Sequence, residues 1–215
     1  NNLFGYQAGT DLTTGSNNVC LGTKAGENIT TGDFNIAIGQ EALDGSTTAH
    51  SNVAIGYDAL STANTGNSNV AIGRAAMQSN TGGSGVALGA YALDAQTTGS
   101  SNTAIGYQSL SSLTDANYNT ACGHEAGENL TTGDENTFLG FQAGQAATTG
   151  DRNTCVGEGS GKTMTTGFAN VYIGSDAGPA INAAPAGNNV CVGKAAGRAI
   201  TTGSQNVLIG EAAAV

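Results

Sequence analysis

Thirteen glycines recur along this chain, at Gly5, Gly22, Gly39, Gly56, Gly73, Gly89, Gly106, Gly123, Gly140, Gly157, Gly174, Gly193 and Gly210. Each closes a pentad of which Asn52-Val53-Ala54-Ile55-Gly56 is typical. The period is 17 residues, broken by one step of 16 and one of 19. A short fixed period over a whole chain overrides local readings of secondary structure, because each repeat is one unit that stacks on its neighbours. The expectation is a single repeat domain over residues 1–215, one coil per glycine, with each glycine taken as position 0. Gly is 34 of the 215 residues and charged residues are 10%. Such a mixture can leave a chain disordered, but disorder keeps no hydrophobic period. Glycine does not fall at every third residue, which excludes collagen.

Position −1 is apolar in every copy, and position −3 is mostly Val, Ile or Thr. These residue types suit a pleated strand. Alternation puts −1 and −3 on one face and −2 on the other. Position −2 is mostly Ala or Cys and never charged. A strand apolar on both faces is buried on both. One face fills the coil and the other needs an outside partner, most simply another copy of the chain. The −2 column is the expected interchain face: Cys20, Ala37, Ala54, Ala71, Ala104, Phe138 and Tyr172. The expected fold is all-β, a parallel β-solenoid of about thirteen coils. Each coil is expected to carry one strand at the pentad and a second short one near +2 to +4.

Position −4 is Asn at Asn18, Asn35, Asn52, Asn69, Asn102, Asn119, Asn136, Asn153, Asn170, Asn189 and Asn206, with Gly85 in the short repeat. Stacked Asn side chains can form a ladder from coil to coil while satisfying turn backbone groups. Position 0 requires a positive φ or a close backbone approach. Position +4 is either Gly (Gly9, Gly26, Gly144) or large and apolar (Leu43, Leu60, Met77). Position +7 compensates, with Leu12, Ile29 or Ile181 after Gly and Ser46, Ala63 or Gln96 after Leu. Two sites sharing one confined core would trade volume this way. Ala214 stands in for Gly in the last coil. Thr-Thr-Gly turns, such as Thr30-Thr31-Gly32 and Thr201-Thr202-Gly203, lead into the next Asn. Pro179 and Pro185 both lie in the 19-residue step, so 175–188 reads as a rigid surface bulge. Asn1 opens a pentad and Val215 stops inside a repeat, so both ends are expected to continue into more chain or to dock.

The pentads Asn-Val-Ala-Ile-Gly and Asn-Thr-Ala-Ile-Gly, followed by Ala-Leu or Ala-Gly, resemble two related groups. One is the head repeats of trimeric autotransporter adhesins. The other is the repeat region of phage tail-fibre proteins, of the type that precedes an intramolecular chaperone domain. The resemblance implies a left-handed roll wound as a trimer, and an extracellular place on a virion tail fibre or a cell surface. The Thr-Thr-Gly spacing fits the tail-fibre type better.

Other function classes find little support. The net charge of −10 offers no basic stripe for nucleic acid, and no run is long enough to insert in a membrane. Cys20, Cys122, Cys155 and Cys191 fall in apolar columns, at least two coils apart, and read as buried free thiols. His50 and His124 lack nucleophile or carboxylate partners at fixed spacing, so no catalytic residue, metal ligand or cofactor site is expected. Acidic residues share no column, against a calcium-binding roll. Asn28-Ile29-Thr30 and Asn129-Leu130-Thr131 match a glycosylation sequon only because the repeat generates it. Tyr57, Tyr91 and Tyr107 follow the turn glycine and are the candidate surface contacts for a host-surface glycan or protein receptor.

The expected function is structural and adhesive: a rigid segment of an extracellular fibre, self-associated as a homo-oligomer, most simply a trimer. Two alternatives are a filament subunit joined end to end and an ice-binding solenoid using its Thr columns.

Overall fold

The computed structural model describes residues 1–62, 65–178, 187–200 and 203–213. The tip of the 175–188 bulge with both prolines, Thr201 and Thr202, and Ala63, Ile181 and Ala214 lie outside the described residues. The chain is an all-β parallel solenoid with one three-residue strand per coil. The strands are β1 (Asn2–Phe4), β2 (Val19–Leu21), β3 (Ile36–Ile38), β4 (Val53–Ile55), β5 (Val70–Ile72), β6 (Val86–Leu88), β7 (Thr103–Ile105), β8 (Thr120–Cys122), β9 (Thr137–Leu139), β10 (Thr154–Val156), β11 (Val171–Ile173), β12 (Val190–Val192) and β13 (Val207–Ile209).

The chain divides into two compact units, residues 1–104 and 105–215. In the first, β1 to β6 pair in chain order and in parallel, so that Ala37 lies beside Ala54 and Ala54 beside Ala71. In the second, β8 to β13 do the same. The irregular steps are absorbed outside the strands: Val70 still faces Val86, and Val171 still faces Val190.

The second strand near +2 to +4 does not form. Positions +2 and +4 are left-handed in every described coil, as at Glu41 (φ 59°) and Leu43 (φ 54°), which is incompatible with an extended run. Position −5 is left-handed too, as at Phe34 and Ser51. Backbone bonds still tie this side from coil to coil, for example Lys24 N–H to the Tyr6 carbonyl and Leu43 N–H to the Ala59 carbonyl. In the described coils the left-handed geometry explains why +4 carries Gly, Leu or Met and never Ile or Val, because β-branching is strained there. Position 0 needs Gly for two reasons. At Gly56 φ is +136°, and a Cβ there would lie 2.5 Å from the Gly73 carbonyl oxygen of the next coil.

The core is a narrow column inside the coil. It holds the −2 residues, the small +3 residues such as Ala42 and Ser109, and the side chains at +4 and +7. Volume is shared three ways. Coils with Leu or Met at +4 have Ala at −2: Ala37 with Leu43, Ala54 with Leu60, Ala71 with Met77. Most coils with Gly at +4 carry larger −2 residues, such as Cys20 with Gly26, Phe138 with Gly144 and Tyr172 with Gly178; coil 8 pairs Ala121 with Gly127, and there the Phe138 ring of the next coil and Leu110 of the previous one take the space. The polar +7 residues of the Leu-type coils are also buried, and they serve the turn. Asn80 donates to the Gly82 carbonyl and accepts from the Gly82 N–H, both at 3.0 Å. Gln96 donates to the Gly99 carbonyl.

Candidate functional site

The −2 column is not an interchain face. Cys20, Ala37, Ala54, Ala71, Ala104, Phe138 and Tyr172 are all buried inside their own coil, none more than 1% exposed. The outward face belongs to −1 and −3. In a three-residue strand the middle side chain points opposite to its two neighbours. The coil is too narrow for two large columns, so the single −2 side chain goes in and the Val-Ile pair goes out. Leu21 is 44% exposed, Ile72 39%, Ile105 38% and Ile173 39%. Ile36, Leu139 and Val207 are exposed as well, and Val53, Ile55, Val86 and Leu88 are half-buried beside their neighbours in the ladder. Within each unit, therefore, the strand ribbon presents a continuous apolar surface to solvent. Coils 7 to 10 modify it with Thr103, Thr120, Thr137 and Thr154 at −3. One thiol joins this surface. Cys122, expected to be buried, is exposed at −1, whereas Cys20, Cys155 and Cys191 are buried. Burial pushes the Cys20 thiol up to about 11 and raises Cys155 and Cys191 as well, so those three stay protonated and inert.

Side-chain ladders border the ribbon. From Asn18 to Asn189 the Asn column is buried, and its amides bond to neighbouring coils and turns. Asn52 Oδ1 accepts the Asn69 N–H at 2.9 Å, while its Nδ2 donates to the Gly66 carbonyl at 3.0 Å. In the second unit Asn136 Oδ1 accepts both the N–H and the Nδ2 of Asn153. At the short repeat the Gly85 N–H takes the place of the missing Asn, donating to Asn69 Oδ1 at 2.9 Å. A second ladder at −6 escaped the sequence reading. Asp33 Oδ1 accepts the Ser16 N–H at 2.7 Å, His50 Nδ1 accepts the Asp33 N–H at 3.0 Å, and Asn67 Oδ1 accepts the His50 N–H at 2.7 Å. Asn117, Asp134 and Asp151 repeat the arrangement in the second unit. The bonds from the Ser16 N–H and hydroxyl hold the Asp33 carboxyl below the usual carboxylate range. The signal was present in the residue types: −6 is rich in Ser, Asp, Asn and His, short acceptors that suit a turn.

The aromatic candidates lie in a third column, at +1 and +2. Tyr57 and Tyr107 are exposed and Tyr91 is half-buried. Arg74 lies 5.8 Å from the centroid of Tyr57 and 5.7 Å from that of Tyr91, covering one face of each ring. Tyr107, His124 and Phe141 follow one another at 5.2 and 5.6 Å between ring centroids, tilted by 32° and 39°. Coil spacing thus makes the rings neighbours of each other, and they offer edges and hydroxyls outward more than free faces. The Thr column is similarly engaged. The hydroxyls of Thr13, Thr30, Thr131 and Thr148 donate to the carbonyls of Thr30, Thr47, Thr148 and Thr165 on the following coil.

Carboxylates gather beside the first unit's +2 and +5 columns. Burial, with Glu41, Asp58 and Glu27 nearby, pushes the Asp44 carboxyl up to about 6. Its Oδ1 is buried without a hydrogen-bond partner, as is that of Asp94, whose carboxyl burial also raises. Among the described residues no group of three or more His, Cys, Asp or Glu is placed to hold a metal ion, and no helix is long and apolar enough to cross a membrane. No protein-family model, curated protein or solved structure matches the chain.

Proposed function

We propose that this chain is a rigid segment of an extracellular fibre, and that copies of it associate through the outer −1/−3 face of the strand ribbon. The exposed apolar ribbon carries the reading. Among the described residues the −2, +4 and +7 side chains fill the interior of the coils, and none of them covers the outward Val-Ile columns. A parallel sheet is ordinarily covered on both faces, and a contiguous apolar surface of this kind marks an interaction site. Three copies is the number that the resemblance to adhesin heads and tail-fibre repeats implies. Stiffness comes from the stacked backbone bonds and the buried Asn ladder. Receptor contact falls to the outward side chains of the flanking columns, multiplied by valency.

Mass measurement in solution tests the reading. A particle of three chain masses is expected, and it should fall to one when Ile55→Asp and Leu139→Asp are introduced together. Electron micrographs separate short rods of fixed length from the long polymers of an end-to-end filament. A well-folded wild-type monomer at micromolar concentration would overturn the association.

A further inference from the structure

The acceptor ladder at −6 contains a single imidazole, that of His50. Coil stacking gives this residue the carboxylate partner that its sequence neighbours lack. Asp33, 17 residues earlier, holds its Oδ2 3.6 Å from His50 Nδ1. The same ring nitrogen accepts the Asp33 N–H at 3.0 Å. A backbone N–H only donates, so Nδ1 carries a lone pair and the imidazole proton sits on Nε2. On its other side the His50 N–H donates to Asn67 Oδ1 at 2.7 Å, a bond in which the ring takes no part. Asp33 Oδ1 is already held by the N–H and hydroxyl of Ser16, at 2.7 and 2.9 Å, and these bonds keep the carboxyl below the usual carboxylate range. The adjoining segments 30–35 and 65–68 bring no other titratable group to the ring.

We infer that His50 is a proton-operated joint in this ladder: protonation moves its ring from the main-chain N–H of Asp33 to the carboxylate of the same residue. An imidazolium has two donors and no acceptor. A proton on Nδ1 would therefore meet the Asp33 N–H donor against donor. The carboxylate beside it offers a charge-assisted bond instead. The side chain is 46% exposed, which leaves the ring room to turn, and the released Asp33 N–H passes to water at the surface. The Ser, Asn and Asp rungs have no such second state, because their oxygens keep an acceptor lone pair whether or not they carry a proton. Histidine is the residue type that proteins use for charge changes near neutrality. Acid thus exchanges a main-chain link between the turns of coils 3 and 4 for an ion pair. The exchange is completed before Asn52 and Val53, so the buried Asn ladder and the strand are left in place. It goes beyond the association of copies and does not depend on it.

The test is NMR on the isotope-labelled full chain, titrated from about pH 8 to about pH 5. At the alkaline end, proton–nitrogen correlation in the ring is expected to place the proton on Nε2, with the Asp33 amide protected against hydrogen exchange. Protection is measured against the rate of an unstructured amide at the same pH. As the ring protonates, protection of the Asp33 amide should fall at least about ten-fold, with the midpoint of the ring's own transition. The Val53 amide, bonded to the Asn69 carbonyl at 2.8 Å, should keep its protection, which separates this step from unfolding. His50→Asn leaves an acceptor that does not titrate, as at Asn67, and should keep the Asp33 amide protected over the whole range. A neutral ring with its proton on Nδ1, an Asp33 amide unmoved through the ring's transition, or an equal loss in His50→Asn would each overturn the inference.

Discussion

The ring of Phe138 occupies the space that a side chain on Gly144 would need, and its other edge lies against Gly127, where a β-carbon would come within 2.6 Å of Cδ2. Phe138 sits at −2 and Gly144 at +4 of the same coil. The next residue of that core, Ala147 at +7, is correspondingly small.

This pairing predicts a strong coupling. Phe138→Ala should cost about 3–5 kcal/mol by opening a cavity. Gly144→Leu should cost about 2–4 kcal/mol by overpacking against the ring and placing a side chain at φ +61°. The double variant rebuilds the Ala-Leu arrangement of coils 3 to 7, and should recover at least about 2 kcal/mol of the summed losses. Denaturant unfolding of the four proteins measures it, and additive losses would contradict the shared core.

The Asn ladder predicts the effect of breaking one rung. Asn52→Ala strands the buried N–H of Asn69, which donates to Asn52 Oδ1. An unsatisfied buried group costs about 1–3 kcal/mol, so a loss of stability in that range is expected. Asn52→Asp keeps the acceptor but buries a charge, and should do no better. Thermal unfolding distinguishes this from the neutral change expected at a surface turn.

The carboxylates predict that stability rises on mild acidification. The folded state holds Asp44 at about 6, above the ordinary value of 3.8. Between those two values the folded chain binds more protons than the unfolded one, so stability falls as pH climbs through that window. Asp58 and Asp94 are shifted the same way, and Asp33 opposes them only below its ordinary range. The unfolding temperature should therefore be higher at pH 5 than at pH 7.5. Asp44→Asn should raise it at pH 7.5 and flatten the difference.

The two faces of the strand predict opposite phenotypes for two adjacent residues. Ala54→Asp places an unpaired charge in the core and should cost at least about 3 kcal/mol of folding stability. Ile55→Asp, on the outer face, should leave the coil folded and act on association. Thiol labelling gives a second readout. Cys122 should be protected in the assembled protein and should label quickly once Leu139→Asp, its ladder neighbour, loosens the ribbon. Cys20, Cys155 and Cys191 should label only on unfolding.

Much of this fold was legible in the chain. The 17-residue period sets parallel, in-register stacking, because identical columns can satisfy one another only by lying side by side. The Asn at −4 reads directly as a ladder, and the Gly at 0 as a left-handed close approach. The second strand was misread, because period-2 patterning near +2 to +4 hides alternating left-handed residues. The absence of β-branched side chains from those positions was the clue. Which way the strand faces was decided by the closed coil. Alternation tells that Ala54 and Ile55 point oppositely, but not which of them points inward. That sign depends on what lies across the coil, and −2 and +4 become neighbours only when the coil closes. Their traded volumes, Ala with Leu and Phe with Gly, are the physical record of that closure. They place Ala54 in the core and leave Val53 and Ile55 for whatever the chain meets outside.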